Sequence, residues 1–436
     1  MNANLDSVAA ALERARQLAA AGRGEDARAE YDRVLAVEPE HAEALAFLGS
    51  RELALGRPPN AIHYLQRAAR SNPDEAQIQL SLGSAYLAAR RLDEARAALA
   101  RCLELAPTAY VARLQYATVL EQSGTADAAL AQYFGAIVQA QKQGRWLSDA
   151  STSPLLRAQV KHAMRLSFDG RKRLFEALLA PYVARHGEAA MARVEKCLKT
   201  YLGEIPPNYP DPRQIPKFLY FPDLPPATYF DRVLFPWYEI MESSWTAIRD
   251  ELNAVLGEPD TLAPFLGDHP LEAMKGYLGG VENPVWDAYF FYRHGERFDA
   301  HHVCCPRTSA VLESLPTLVR IRDHAPEVCF SVLTPGTHIL KHRGVTNTRL
   351  VTHLPLIIPD NCAISVGGEE RVWREGECFT FDDTFEHEAW NRSDRTRVVM
   401  LMDVWNPYLS EAEREVVTAL IEGIGDFNQA AGIDRQ

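Results

Sequence analysis

Two histidines and an arginine in the C-terminal part of the sequence have the types and spacing of an iron site. They are His342 and His387, with Arg397 ten residues after the second histidine. A catalytic ferrous ion needs imidazole nitrogens as ligands, open positions for O₂ and a co-substrate, and a cation that binds the far carboxylate of that co-substrate. This set of residues therefore indicates an iron-dependent oxygenase, with His342, His387 and Arg397 as the candidate catalytic residues.

The carboxylate that such sites usually contain is missing after the first histidine. Most enzymes with this metal use His-x-Asp/Glu together with a distant histidine, but the residue two positions after His342 is Gly344. Two interpretations follow from the residues alone. Either His342 is not a metal ligand, or a water molecule replaces the side-chain ligand.

Two other segments match His-x-Glu and have to be weighed against His342. His186-Gly187-Glu188 lies in a helix-like segment far from any strand pattern, and His294-Gly295-Glu296 joins two predicted strands through a turn that contains glycine. Both are weaker candidates for a metal site.

Short runs of alternating apolar and polar residues surround the candidate site. They are separated by residues typical of turns, such as Pro335-Gly336 and Gly367-Gly368. The runs are Val328 to Leu333, Leu350 to Ile358, Cys378 to Phe381 and Arg397 to Trp405. This pattern predicts antiparallel strands and fits a double-stranded β-helix, or jelly roll.

The first third of the chain repeats with a period of 34 residues. One column of the repeat contains only alanine and another only proline. They are Ala27, Ala61, Ala95 and Ala129, and Pro39, Pro73 and Pro107. The pattern resembles the tetratricopeptide repeat, in which small residues let two antiparallel helices pack closely. About four units fit between residues 5 and 140, and their stacking would form a superhelix whose concave side binds a peptide or protein or, alternatively, a spacer or oligomerisation arm.

A proline-rich segment from Pro206 to Pro216 marks a domain boundary. The sequence predicts a multidomain α + β protein with a tetratricopeptide-repeat domain at residues 1–144. A helical connector at residues 145–209 and a jelly-roll domain at residues 210–436 are expected to follow.

Composition excludes several classes of protein. The chain has 436 residues, a net charge of −12 and no runs of Lys or Arg, which argues against a nucleic-acid partner. No stretch approaches 18 uninterrupted apolar residues, so membrane insertion is not expected. The N-terminus lacks the pattern of a signal peptide. We therefore expect a soluble, cytoplasmic protein.

A series of motifs between residues 334 and 407 resembles the aspartyl/asparaginyl β-hydroxylase family. In order, they are Thr334-Pro-Gly-Thr-His338, His342-Arg-Gly344, Thr346-Asn-Thr-Arg-Leu350, His353-Leu-Pro-Leu356, Phe381-Asp-Asp-Thr-Phe-Glu-His387-Glu-Ala-Trp390 and Asp403-Val-Trp-Asn-Pro407. The similarity runs from about Phe218 to Leu409, which is nearly half of the chain. So many motifs in the same order make the resemblance specific.

The resemblance implies a double-stranded β-helix enzyme that uses Fe(II), 2-oxoglutarate and O₂. Animal members of the family hold iron with only two histidines and have glycine where the facial carboxylate would stand, as at Gly344. Carried over to this sequence, His342 and His387 would hold iron. Ser331 and Arg397 would bind the distal carboxylate of 2-oxoglutarate, and His353 would contact its metal-side carboxylate.

The resemblance also concerns two further positions, Val351 and Asp383. Val351 stands where the animal enzymes place an arginine that also contacts the co-substrate, and Arg349 is the expected substitute. Asp383, four residues before His387, resembles a family acid that orients a water in the empty iron position. A turn residue that caps the adjacent loop is the alternative for Asp383.

The function implied by the resemblance is hydroxylation of an Asp, Asn or similar residue in a peptide or protein, coupled to conversion of 2-oxoglutarate to succinate and CO₂. Two alternatives stay open. One is hydroxylation of a free amino acid or another small metabolite, with the repeats used for assembly. The other is a non-catalytic tetratricopeptide adaptor with a degenerate barrel. Family relatives also hydroxylate lipid acyl chains.

Overall fold

Eight helices in consecutive pairs form the N-terminal repeats. Their bounds are α1 (Asn2–Ala20), α2 (Gly24–Val37), α3 (Ala42–Ala54), α4 (Pro58–Ser71), α5 (Ala76–Ala88), α6 (Leu92–Leu105), α7 (Tyr110–Gln122) and α8 (Ala126–Lys142). The second helix of each of the first three pairs ends two residues before Pro39, Pro73 or Pro107. The predicted repeat of helix pairs is therefore confirmed.

Glycine at one position of the repeat allows the paired helices to approach closely. A Cβ atom on Gly49 would lie 2.5 Å from Cγ of Leu65, and one on Gly83 would lie 2.5 Å from Cγ of Leu99. Both leucines are fully buried. Since even a methyl group would overlap the facing leucine, glycine at this position sets the packing distance of α3 against α4 and of α5 against α6.

The computed structural model describes residues 2–258, 260–267 and 275–433. It divides into two compact units, of which the first contains residues 1–173 and 426–436 and the second contains residues 174–425. The three-part scheme with boundaries at residues 144 and 209 stays a prediction about the folding units.

The remaining helices flank or follow the strands in the sequence. They are α9 (Arg157–His186), α10 (Glu188–Tyr201), α11 (Tyr238–Ser243), α12 (Trp245–Leu256), α13 (Asp299–Cys304), α14 (Pro306–Ser314) and α15 (Glu411–Ala430). No helix among the described residues has the length and apolar character needed to span a membrane.

Twelve strands in the described part of the second unit form two antiparallel sheets. The strands are β1 (Ala263–Pro264), β2 (Leu278–Gly279), β3 (Trp286–Arg293), β4 (Glu296–Arg297), β5 (Val328–Leu333), β6 (His338–His342), β7 (Arg349–Ile357), β8 (Cys362–Val366), β9 (Glu369–Val372), β10 (Phe379–Phe381), β11 (His387–Asn391) and β12 (Arg397–Trp405). One sheet has the order β1-β3-β5-β12-β7-β10, with β4 paired to β3, and the other has the order β2-β6-β11-β8-β9. Of the eight strands from β5 to β12, β5, β7, β10 and β12 lie in the larger sheet and β6, β8, β9 and β11 in the smaller one. Two facing four-stranded antiparallel sheets of this kind form a jelly roll, and the predicted fold class is confirmed.

The two faces of the larger sheet have different roles. Along β12, Val398, Met400 and Met402 belong to a buried apolar cluster with residues of α11, α12 and α14. The intervening residues, Arg397 and Leu401 among them, point into the space between the sheets. Because side chains alternate along a strand, helices cover one face, and the other face is left to build a site inside the barrel.

Candidate active site

The two predicted metal ligands lie side by side in the smaller sheet. His342 is the last residue of β6 and His387 is the first residue of β11, and the two are direct partners in the antiparallel ladder. The centres of their imidazole rings are 4.0 Å apart. The strand register therefore brings together two histidines that are far apart in the sequence.

Backbone hydrogen bonds set the tautomer of both rings. Nδ1 of His342 donates to the carbonyl oxygen of Leu340 at 2.8 Å, and Nδ1 of His387 donates to that of Phe385 at 3.0 Å. Burial lowers the pKa of each imidazole to about 4. Both rings are therefore neutral near pH 7, with the lone pair on Nε2, the form in which histidine binds a metal ion.

The carboxylate of Asp383 fills the space beside Gly344. A Cβ atom on Gly344 would lie 2.1 Å from Cγ of Asp383. Asp383 is buried, and no described residue hydrogen bonds to its Oδ1 atom. Burial raises the pKa of its carboxyl group to about 6. Among the residues that the structure describes, no three His, Cys, Asp or Glu side chains are grouped so as to hold a metal ion.

Arg397 is a buried cation that has no acidic partner among the described residues. Its side chain is 1% exposed, and Nη1 lies 3.4 Å from both Oγ and the carbonyl oxygen of Ser331. Its Nε atom has no partner, and burial lowers the pKa of the guanidinium to about 10. Trp286 donates to Ser331 Oγ at 2.9 Å. Burial of an uncompensated guanidinium is costly, so this end of the cavity fits an anion.

His353 presents a second unused donor. Trp373 Nε1 donates to Nδ1 of His353 at 3.1 Å, which places the imidazole proton on Nε2. Nε2 is buried and has no hydrogen-bond partner within the described ranges of the chain. Burial holds the pKa of His353 well below its usual value. His353 is therefore a neutral donor that fits an acceptor oxygen inside the cavity.

Arg349 already has an anionic partner. Its guanidinium forms an ion pair with the fully buried carboxylate of Asp403. The second oxygen of Asp403 accepts a hydrogen bond from the backbone N–H of Glu327 at 2.8 Å. Arg349 and Arg397 thus differ in their charge environment, although both face the interior of the barrel.

All predicted site residues line one cavity of about 190 Å³ between the two sheets. They are Ser331, His342, Arg349, His353, Asp383, His387 and Arg397. A larger cavity of about 800 Å³ lies at the edge of β9 and is lined by none of them. The chemistry of the site therefore belongs to the smaller cavity.

The two other His-x-Glu segments lie in different surroundings. His294 Nδ1 lies 2.8 Å from Glu327, and its side chain is 69% exposed. His186 Nε2 lies 3.0 Å from Glu415. Each of these histidines thus contacts a glutamate, and neither of them lines the cavity.

Sequence reasoning missed the two tryptophans that orient polar groups of the site. Trp373 was not among the candidate site residues, yet it hydrogen bonds to His353 and its ring lies 4.9 Å from the guanidinium of Arg397. Trp286 was not singled out. Their only signal in the sequence is general, because a buried indole N–H usually finds an acceptor.

Comparisons with known proteins assign both parts of the chain. The profile of the Aspartyl/Asparaginyl beta-hydroxylase family matches residues 242–407. The tetratricopeptide repeat profile matches residues 12–61 and 48–110. A Mus musculus protein named aspartate beta-hydroxylase domain-containing protein 2 is 32% identical over 246 residues, which are 55% of this chain and 68% of that protein. This chain belongs to the aspartyl/asparaginyl β-hydroxylase family.

Two other relatives show the range of the family. The aspartyl/asparaginyl beta-hydroxylase of Homo sapiens is 33% identical over 41% of this chain and 22% of that protein. The ornithine lipid ester-linked acyl 2-hydroxylase of Rhizobium tropici is 34% identical over 42% of this chain and 62% of that protein. The chain spans between 22% and 68% of the length of these three relatives. Family membership confirms the resemblance and supports hydroxylase activity.

Proposed function

We propose that this chain is an Fe(II)- and 2-oxoglutarate-dependent dioxygenase that hydroxylates an Asp, Asn or similar residue of a peptide or protein. The observation that carries the proposal is the buried guanidinium of Arg397, which has no acidic partner in the described parts of the chain and lines the same cavity as His342 and His387. A dicarboxylate bound beside a metal ion would neutralise this charge.

The metal would be held by Nε2 of His342 and of His387, since hydrogen bonds fix both Nδ1 atoms. Asp383 would hold a water in the position of the missing carboxylate, because its buried Oδ1 atom lacks a partner beside Gly344. When bound, Fe(II) and 2-oxoglutarate would supply the O₂ activation needed for hydroxylation, with succinate and CO₂ as by-products.

The co-substrate would lie along the larger sheet. Arg397 and Ser331 would bind its distal carboxylate, and the free Nε2–H of His353 would donate to its metal-side carboxylate. Trp373 and Trp286 would fix the donors in place through their indole N–H groups. These donors are oriented before the ligand arrives, which reduces the cost of binding.

Arg349 stays a proposed co-substrate contact, since it lines the cavity. Its ion pair with Asp403 leaves His353 as the donor without a partner on the metal side. Val351, where the animal enzymes have a second arginine, is a buried apolar residue of the barrel interior. The metal-side carboxylate would therefore be held by fewer charges here, and apolar side chains would exclude water from the reacting atoms.

The repeats favour a polypeptide substrate, because stacked helix pairs commonly bind extended peptides. The Rhizobium tropici relative is named as a lipid hydroxylase, so an acyl chain is the second candidate. A free amino acid is the third. Succinate formation by the full chain with Asp- and Asn-containing peptides, free Asp or Asn, and ornithine-lipid vesicles separates the three candidates.

Anaerobic titration with Fe(II) and 2-oxoglutarate tests the reaction class. We expect the visible charge-transfer band of an iron–keto-acid complex in the wild type, its loss in His342→Ala and its weakening in Arg397→Ala. His338→Ala is the matched control, because His338 lies on the same strand β6 but pairs with Glu388, and it should keep the band. The absence of a band in the wild type would overturn the proposal.

A further inference from the structure

A segment N-terminal to the barrel strands crosses the two loops next to the metal ligands. The segment comprises residues 213–219 and is called the strap. The first loop, residues 343–348, follows His342 between β6 and β7, and the second, residues 382–386, precedes His387 between β10 and β11. The loops are neighbours only because β6 pairs with β11.

Backbone hydrogen bonds join the strap to both loops. Ile215 N–H donates to the carbonyl oxygen of Thr384 at 3.1 Å, and Lys217 N–H donates to that of Gly344 at 3.1 Å. Next to the first of these bonds, Gln214 forms an isolated antiparallel bridge with Phe385. The strap therefore fixes the second loop relative to Gly344.

The Gln214 side chain makes the strap's buried contact with the second loop. Its Nε2 atom donates to Oδ2 of Asp382 at 2.6 Å, and both side chains are 1% exposed. Oδ1 of Asp382 accepts from the N–H and the hydroxyl group of Thr384. The Gln214 side chain thus links Asp382 to an element outside the second loop. If this side chain were removed, Oδ2 of Asp382 would be a buried acceptor that has lost this donor.

Asp383, the residue next to Asp382, carries the carboxylate that lines the same cavity as the proposed metal ligands His342 and His387. Asp383 is connected to Asp382 by one peptide bond, and its carbonyl oxygen accepts from Gly344 N–H at 2.6 Å. Its carboxylate fills the space that a side chain on residue 344 would occupy. A small movement of the second loop would therefore move this carboxylate away from the histidine pair.

We propose that Gln214 is a positioning residue for the metal site, which acts through Asp382 to hold the carboxylate of Asp383 against Gly344. This inference rests on the proposed function, because it needs a metal ion at His342 and His387. It adds a residue outside the barrel strands to the machinery that replaces the missing carboxylate ligand. Groups that orient a metal's surroundings typically change metal affinity by roughly 10- to 100-fold when mutated.

The test measures binding of Mn(II) to the full chain, with EPR detection of free Mn(II), so that no turnover is needed. We expect Gln214→Met, which has similar length and no hydrogen-bonding amide, to weaken Mn(II) binding by roughly tenfold. Gln79→Met is the matched control. Gln79 is also a buried glutamine with one hydrogen bond, to the carbonyl oxygen of Pro73, but it lies in the repeats, and its substitution should leave Mn(II) affinity unchanged.

A double-mutant cycle separates positioning from a general loss of stability. If Gln214 acts through Asp383, Gln214→Met combined with Asp383→Asn should bind Mn(II) no more weakly than Asp383→Asn alone. Additive losses would overturn the inference, as would unchanged affinity in Gln214→Met. If Gln214→Met does not fold, Gln214→Asn, whose amide is too short to keep the 2.6 Å contact, takes its place in the cycle.

If the proposed function is wrong, the same Mn(II) measurements should give a different pattern. Wild-type protein that binds no Mn(II), or that binds it equally well after His342→Ala, would overturn both the proposed function and the role of Gln214. Wild-type binding that is lost in His342→Ala but retained in Gln214→Met would overturn only the role of Gln214.

Discussion

The carboxylate of Asp383 occupies the space that a side chain on Gly344 would need, with only 2.1 Å between a Cβ on residue 344 and Cγ of Asp383. Gly344 and Asp383 therefore belong to one structural arrangement. The carboxylate of Asp383, from another loop, takes the space of the side chain that is missing two residues after His342.

Gly344→Ala should displace the Asp383 carboxylate, because a methyl group cannot share its space. We expect Mn(II) affinity to fall by roughly tenfold, as measured by EPR of the free ion. Gly257→Ala is the control, since a Cβ there meets other atoms only at ordinary distances of 3.4 Å or more. Equal affinity in wild type and Gly344→Ala would show that the carboxylate does not contribute to metal binding.

Trp373→Phe should weaken 2-oxoglutarate binding. The change removes the N–H that donates to His353 Nδ1, so the proton of His353 is no longer fixed on Nε2. Loss of one hydrogen bond in a buried site costs about 1–3 kcal/mol, and a roughly tenfold rise in the 2-oxoglutarate dissociation constant is expected by titration calorimetry. Trp390→Phe, a buried tryptophan of β11 that does not line the cavity, should leave that constant unchanged.

Arg397→Met and Arg349→Met should have opposite effects on the stability of the co-substrate-free protein. Arg397 is buried, and the part of the chain that the structure describes gives it no acidic partner. Its removal should therefore raise the free energy of unfolding, by about 1 kcal/mol or more. Removal of Arg349 leaves Asp403 buried without its ion pair and should lower the free energy of unfolding by about 3–5 kcal/mol. Urea denaturation measures both changes.

The same variant, Arg397→Met, should show no 2-oxoglutarate binding by titration calorimetry despite its greater stability. A protein that is destabilised by Arg397→Met, or that still binds 2-oxoglutarate tightly, would contradict the role given to this guanidinium.

Metal affinity should fall as the pH falls through 6. Burial raises the pKa of Asp383 to about 6, and a cation favours the charged carboxylate, so protonation of Asp383 below this pH opposes binding. His342 and His387, with pKa values of about 4, stay neutral between pH 7 and 5 and add little to the change. Mn(II) titrations at roughly pH 7.5, 6.5 and 5.5, on both sides of that pKa, measure the effect.

Asp383→Asn is the control for this pH dependence, because it removes the titrating group. Its Mn(II) affinity should be weaker and nearly constant over the same range. A small remaining dependence of Mn(II) affinity on pH would come from Asp382, because burial raises the pKa of Asp382 to about 7. An unchanged slope in Asp383→Asn would exclude Asp383 as its source.

The predicted strands of the larger sheet agree with the structure, whereas those of the smaller sheet were not predicted. The segment Arg397 to Trp405 is β12 as predicted, because it is long and strongly apolar. By contrast, β9 (Glu369–Val372) has three charged residues out of four and is exposed along its whole length, and β6 carries two histidines and a lysine. Short polar strands lack the alternation of side chains that identifies a strand in a sequence.

The sequence by itself determined the repeat, the larger sheet, the family and the residues proposed to bind metal and co-substrate. These depend on local periodicity and on motifs read along the chain. Only the tertiary structure decided that Arg349 is paired while Arg397 is not, that Trp373 orients His353, and that Asp383 fills the space at Gly344. Each of these relationships joins residues from different strands or loops. They depend on strand register and on burial from water, which no single segment of the chain specifies.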